Sequence, residues 1–481
     1  MAVRVEDCRS NDATISTASE QSRRPLGLLT IAVLIFYNVA GGPFGVEDAV
    51  SDGGPFWALL GFLVFPFVWC VPEACVTAEL ATMFPHNSGY VTWVTAAFGP
   101  FWGFLEGWLS WLSGVMDNAI YPVLLLQYLV QHWPQLNDEG PRVAFLVGFI
   151  TFFTLLSLRG IEVVGGTAAV LSLFVLSPFV VMVVLGVPQM DPSRWAKRNS
   201  ESEVDVIELL NTLFWNLNYW DSISTVAGEA DNPGKTIPKA LGIAVVVVVL
   251  NYLVPLAVGI ATTEQSSDWN TGYFYAVAVQ VCGGQTWLGL WLLASAAVSN
   301  IGQFLAEMAA DSYQLDGMAD LGHIPRVFAR RTRFGTPYVG ILLSAAIVLL
   351  LTVVFGFKFI DLVELLNGVY CVSMIIEFAA FLTLRHRHDT TGDGPDSWRV
   401  PLPTWAMALM VTPAAFFCAL VLVLPFIKGE WLQAFVPLIL IVVGAAGYWL
   451  RSWCKADVVN GSPLLTRSTP DWGLDTSSHE D

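Results

Sequence analysis

The chain has 481 residues, of which 55% are hydrophobic and only 13% charged. A water-soluble chain carries about 25% charged residues, so a soluble globular protein is excluded. The net charge of −17 and the lack of any basic stripe exclude a nucleic-acid binder.

Residues 1–25 are polar, show no cleavable signal pattern and are expected to form a disordered cytoplasmic N-terminus. From Leu26 onward, apolar runs of roughly 20 residues recur, each enough for one bilayer crossing. Twelve spans are predicted, at 26–51, 56–80, 101–130, 142–158, 161–186, 206–230, 237–261, 284–311, 336–356, 361–384, 403–427 and 431–450. The third and eighth are long enough to tilt. Residues 456–481 are expected to be a disordered cytoplasmic tail. The fold class is therefore an all-α membrane protein.

Orientation follows from the placement of Lys and Arg. With the N-terminus in the cytoplasm, 17 of the 23 basic residues fall on cytoplasmic segments, so both termini are expected inside. The seven cysteines are scattered, without disulfide or metal spacing. No buried His, Ser-His-Asp set or metal cluster is expected, so neither an enzyme nor a cofactor is indicated.

Span one contains "FYNVAGGPFGVEDAV", in which Gly41, Gly42, Pro43 and Gly45 interrupt a helix at half depth. Span six contains "LFWNLNYWDS", where Asn216, Asn218, Asp221 and Ser222 favour bonds to their own backbone over a continuous helix. Paired discontinuous helices in the first and sixth positions point to a transporter site. Unwound backbone in a bilayer must be buried in protein or line a cavity.

Acids lie within the spans while Lys, Arg and His lie near span ends. Glu79, Glu106, Glu229 and Glu307 fall toward cytoplasmic ends and are expected to be solvated or bonded to loops. Glu73 and Glu377 are deeper, with nothing in the sequence to orient them. Glu47 and Asp48 follow the first break, Asp221 sits in the second, and Asp117 lies mid-span beside Asn118 and Tyr121. An embedded carboxylate costs about 2.5–3.5 kcal/mol and needs a partner. With no fixed cation nearby, a proton or a cationic ligand is left. Tyr37, Phe44, Tyr121, Trp215, Tyr219 and Trp220 supply ring faces that attract alkylammonium groups and cover methylene chains. Asp117 is the expected ligand for an ammonium, and Asp221 the expected proton-responsive group. Ser299 and Asn300 in span eight offer oxygens to a cation, which leaves sodium coupling open.

The stretches "GGPFGVED", "SGVMDNAIYPV", "FWNLNYWDS" and "AGEADNPGKTIPKAL" resemble the polyamine:proton symporters of the plant and protozoan polyamine-uptake group, within the amino acid–polyamine–organocation superfamily. The likeness runs from about Leu26 to Leu450. It implies an inverted 5+5 repeat, with repeats at 26–186 and 206–384 and two further helices at 403–450. By the same resemblance the chain would import putrescine- or spermidine-class polyamines with protons across the plasma membrane. Trp215 would gate the site, Asn118 would line it, and Asp221, with Asp117, would couple to protons. The implied substrate shell is Gly41, Gly42, Pro43, Phe44, Glu47, Asp48, Asp117, Asn118, Tyr121, Trp215, Asn218, Tyr219, Trp220 and Asp221. Two departures stand out. Pro43 closes a triplet that is commonly Gly-Ser-Gly in amino-acid carriers, and span five lacks the Lys of some proton-coupled members. The alternatives are a cationic or neutral amino-acid carrier, or a membrane receptor or structural subunit that transports nothing.

Overall fold

The structure, a computed structural model, describes residues 26–85, 89–160, 165–197, 204–263, 269–391 and 397–459. Regular structure among them is helical. The expectations for residues 1–25 and 460–481 fall outside the described residues.

The first apolar run is broken as its glycines require. Helix α1 (Leu28–Val39) stops, residues 40–47 run irregularly, and α2 (Asp48–Val68) begins. Gly41, Gly42 and Gly45 have φ of 57°, 140° and 76°, conformations that a side chain disfavours. A further positive φ, 77° at Gly54, divides α2, so its first turns finish span one and the rest starts span two. Span two continues through α3 (Cys70–Met83). A short α4 (Gly89–Phe98), too short to cross a bilayer, was not expected from the sequence.

Helix α5 (Pro100–Val130) is the central post, and α6 (Glu139–Ser157) and α7 (Gly165–Gly186) complete the first half. The second half opens with α8 (Val206–Leu217). There the chain leaves helical geometry: Asn218 is extended and Tyr219 has φ 68°, before a 3-10 helix from Trp220 to Glu229. Then follow α9 (Pro233–Thr262), a short α10 (Phe274–Val281), α11 (Trp287–Asp320) and α12 (Tyr338–Leu349), which ends in a π-helical turn at Leu350–Val354. The set closes with α13 (Phe359–Thr391), α14 (Thr404–Lys428) and α15 (Trp431–Val459). Helix α15 runs to Val459, so 456–459 are helical where an unstructured tail was expected.

Among the described residues, nine helices are long and apolar enough to cross a membrane. Predicted spans one, six and nine fall on shorter helical pieces, two of them because of the breaks. Helix α5 packs against α11 and α13. Gly114 allows the close approach of α11: a Cβ there would lie 2.3 Å from Asp311 Oδ1 and 2.8 Å from Glu307 Oε1. The outer helices carry exposed apolar side chains such as Phe152, Leu173, Leu409, Phe416 and Val442. Such a surface suits hydrocarbon and not water.

Candidate functional site

The two breaks are fastened to each other. Asn216 Nδ2 donates to Gly45 O at 3.1 Å and to Thr212 O at 2.8 Å, so one amide both ends α8 and holds the first break. Ser299 Oγ on α11 donates to Gly41 O at 2.7 Å, which places a carbonyl freed by the break on a hydroxyl. At the foot of the two spans, Leu26 N donates to Glu229 O at 2.8 Å and Asp231 N to Leu26 O at 2.9 Å. Backbone groups that a helix would have satisfied internally thus find partners across the two spans.

Between the breaks lies a cavity lined by Asn38, Val39, Ala40, Phe44, Asp117, Tyr121, Leu124, Trp215, Asn216, Tyr219, Tyr252 and Gln303. It offers about 20 Å³ to the centre of a water-sized sphere, room for about one water. Its single acid is Asp117, on α5. Trp215 Nε1 donates to Asp117 Oδ1 at 2.8 Å, and the Tyr121 hydroxyl, one turn further along α5, donates to Oδ2. None of the ion pairs among the described residues includes Asp117. A buried carboxylate with neutral donors and aromatic walls suits an alkylammonium group. The Trp215 ring lies over Gly45, where a Cβ would come within 2.6 Å of it.

The expected site residues divide into groups. Phe44, Asp117, Tyr121, Trp215 and Tyr219 meet at the cavity. Gly41, Gly42 and Pro43 form the adjacent break without lining it. Asn118 and Asn218 are buried, and both amide atoms of each lack a protein partner, but neither lines the cavity. Trp220 is turned away, its Nε1 donating to Leu217 O at 2.8 Å to close the end of α8.

Glu47 and Asp48 are engaged elsewhere. The Tyr128 hydroxyl and the Gly272 N–H, at 3.3 Å, donate to Glu47 Oε1, and Thr271 Oγ1 donates to Asp48 Oδ2 at 2.5 Å. Their place beside the break in sequence does not carry them to the cavity, because α2 starts here and turns both carboxylates toward residues 271–272.

Asp221 belongs to a second cluster. Tyr370 Oη on α13 lies 2.8 Å from Asp221 Oδ1 and 2.9 Å from Glu73 Oε1. Glu73 Oε1 also accepts the Trp220 N–H at 2.8 Å and the Asp221 N–H at 3.3 Å. A helix start leaves amides without partners, and a carboxylate from α3 satisfies them here. Glu73 is therefore oriented at the second break, which α3 alone does not reveal. Glu106 is fully buried and accepts Ser110 Oγ at 2.9 Å, where solvation or a loop partner was expected. Glu79 is bonded as expected, to Arg385 and, at 3.4 Å, to Arg399. Sequence reasoning missed Tyr252, Gln303 and Tyr370 altogether. Each lies inside a long continuous helix, with no local break to flag it.

Residues 26–448 match the amino acid permease family, and the chain belongs to it. It is 49% identical to the polyamine transporter PUT1 of Oryza sativa subsp. japonica, over 85% of this chain and 75% of that one. It is 44% identical to the polyamine transporter RMV1 of Arabidopsis thaliana, over 90% and 86%. The lysine-specific permease of Saccharomyces cerevisiae is more distant, at 23% identity over 94% and 78%. With its apolar helices, the chain is a multi-pass membrane transporter.

Proposed function

The chain being an amino acid permease by family, we propose that it imports polyamines of the putrescine and spermidine class across the plasma membrane by proton symport. In this reading twelve spans form an inverted 5+5 repeat plus two helices, with both termini cytoplasmic. The observation that carries it is Asp117, a buried acid without a cationic partner in a cavity walled by Phe44, Tyr121, Trp215, Tyr219 and Tyr252. The substrates named for the two plant relatives agree with it.

The small cavity gives Trp215 its role. Trp215 holds Asp117 Oδ1 and walls the same cavity, so a shift of the ring would open that oxygen to an ammonium and make Trp215 a gate over the ligand. Symport also needs separate places for its two cations, since one shared carboxylate would give exchange. Asp117 faces the cavity for the amine, while Asp221 sits with Tyr370 for the proton. The inside-negative potential contributes about 2.3 kcal/mol per inward charge for each ~100 mV.

Labelled putrescine uptake in proteoliposomes, with imposed pH or sodium gradients, tests the proposal. Accumulation driven by an inward proton gradient is expected. Accumulation driven only by sodium, or equal uptake of cationic amino acids, would overturn it.

A further inference from the structure

A single hydroxyl stands between two carboxylates at the second break. Tyr370 Oη is 2.9 Å from Glu73 Oε1 and 2.8 Å from Asp221 Oδ1. A phenol has one hydrogen, so it can donate to only one of them. The other carboxyl must bring its own proton, or two lone pairs face each other in a buried place. The remaining donors decide which one does. Glu73 Oε1 already accepts the N–H groups of Trp220 and Asp221. An oxygen that carries a proton is a poor acceptor for two amides, whereas a carboxylate ion is a strong one. Three donors on one oxygen favour an ionised Glu73, and with the Tyr370 hydrogen given to it Asp221 must carry its own proton. Tyr370 then gives its hydrogen to Glu73 and accepts two, from Asp221 and from the Tyr219 N–H at 3.2 Å. This assignment satisfies each of these hydrogen bonds, and the reverse one does not; Glu73 Oε2 is buried without a partner among the described residues.

We infer that Glu73 is the positioning residue for the transported proton, its fixed negative charge holding that proton on Asp221 across Tyr370. The inference rests on the proton-symport reading above. Asp221 takes the proton from water on the outer side and gives it to water on the inner side; only O–H bonds form and break, and Glu73 stays ionised. The charged and titratable groups around the pair are Cys70 on α3, Tyr90 on α4, Glu106 on α5, Tyr219 at the break, Glu307 on α11 and Glu377 on α13. None of these is a cation, so the Glu73 charge acts on Asp221 uncompensated.

The test is labelled putrescine uptake against external pH, with equilibrium putrescine binding measured at low pH. Glu73→Gln keeps an acceptor oxygen for the two amides and removes the charge. Without like-charge repulsion against its ionised form, Asp221 gives up its proton more readily. The pH midpoint of uptake should fall by about one unit or more, while binding at low pH changes less than about threefold. Glu73→Asp restores the charge and should return the midpoint toward wild type. An unmoved Glu73→Gln midpoint beside a pH-dependent wild type overturns the role of Glu73. Wild-type uptake indifferent to pH overturns the symport reading instead. If Glu73→Gln does not fold, infrared spectra with isotope-labelled aspartate decide on the intact chain. A carboxylic-acid band of aspartate that Asp221→Asn removes supports the assignment, and its absence refutes it.

Discussion

Trp215 and Asp117 hold each other across the cavity: the indole N–H donates to Oδ1 at 2.8 Å, and the ring rests on Gly45. The pair joins the end of α8 to the continuous α5 beside the break that follows α1. A ligand ammonium that replaces the indole trades a neutral donor for a charged one. Asp117→Asn keeps the shape and removes the charge, so it should weaken putrescine binding by about 1.5–3 kcal/mol, roughly 10- to 150-fold. Equilibrium binding to purified, monodisperse variant measures this. Unchanged affinity would remove Asp117 from the site.

Gly45 is constrained twice over. Its φ of 76° costs other residues about 1–2 kcal/mol, and a Cβ would sit 2.6 Å from the Trp215 ring. Gly45→Ala should therefore displace Trp215 and loosen its bond to Asp117. The expected result is a lower melting temperature with altered tryptophan fluorescence and reduced uptake. Wild-type fluorescence and uptake would mean that the ring does not depend on that contact.

The breaks were legible because their signals are local. Glycines at 41, 42 and 45 permit backbone that other residues resist, and Asn216 bonds the Thr212 carbonyl one turn back. The placement of acids was legible only in part. Asp117 is set by the face of one helix and by Tyr121 a turn away. Glu73 depends on three elements, with partners at Trp220 and Tyr370, 147 and 297 positions along the chain. Asp48 shows the opposite case. It stands beside the break in sequence, but its partner Thr271 is 223 positions away, and that contact decides its direction. Nearness to a motif fixes backbone position and leaves side-chain direction to packing.

Among the described residues, one fully buried carboxylate has fixed cationic partners, and it is structural by the same reasoning. Glu79 pairs with Arg385 and Arg399 and accepts the Val400 N–H at 3.1 Å, tying α3 to α13 and to the segment before α14. Arg385→Met leaves a buried charge short of its partner and should cost about 3–5 kcal/mol of stability. The double variant Glu79→Gln/Arg385→Met removes both charges and should recover much of the loss. Thermal unfolding in detergent compares the three proteins; additive losses would show that the pair is not coupled.

Pro43 bears on which cation the site accepts. In a broken first span, successive backbone N–H groups and a helix N-terminus can cradle a substrate carboxylate. Pro43 has no N–H, so one donor is missing from that cradle. The structure adds one further feature: the cavity beside the break holds an acid, Asp117. A ligand carboxylate would meet one donor fewer and a negative charge. Amines without a carboxylate should be selected. Putrescine and ornithine share a diamine chain and differ by one carboxylate, which makes them a close comparison. Unlabelled putrescine should block labelled putrescine uptake far better than ornithine does, and equal inhibition would favour a cationic amino-acid carrier. Glu47 and Asp48 face residues 271–272 and not the cavity, so they do not set this preference directly. Pro43→Gly restores one N–H to the break beside the cavity and should narrow the gap between the two inhibitors, whereas Glu47→Gln should leave it unchanged.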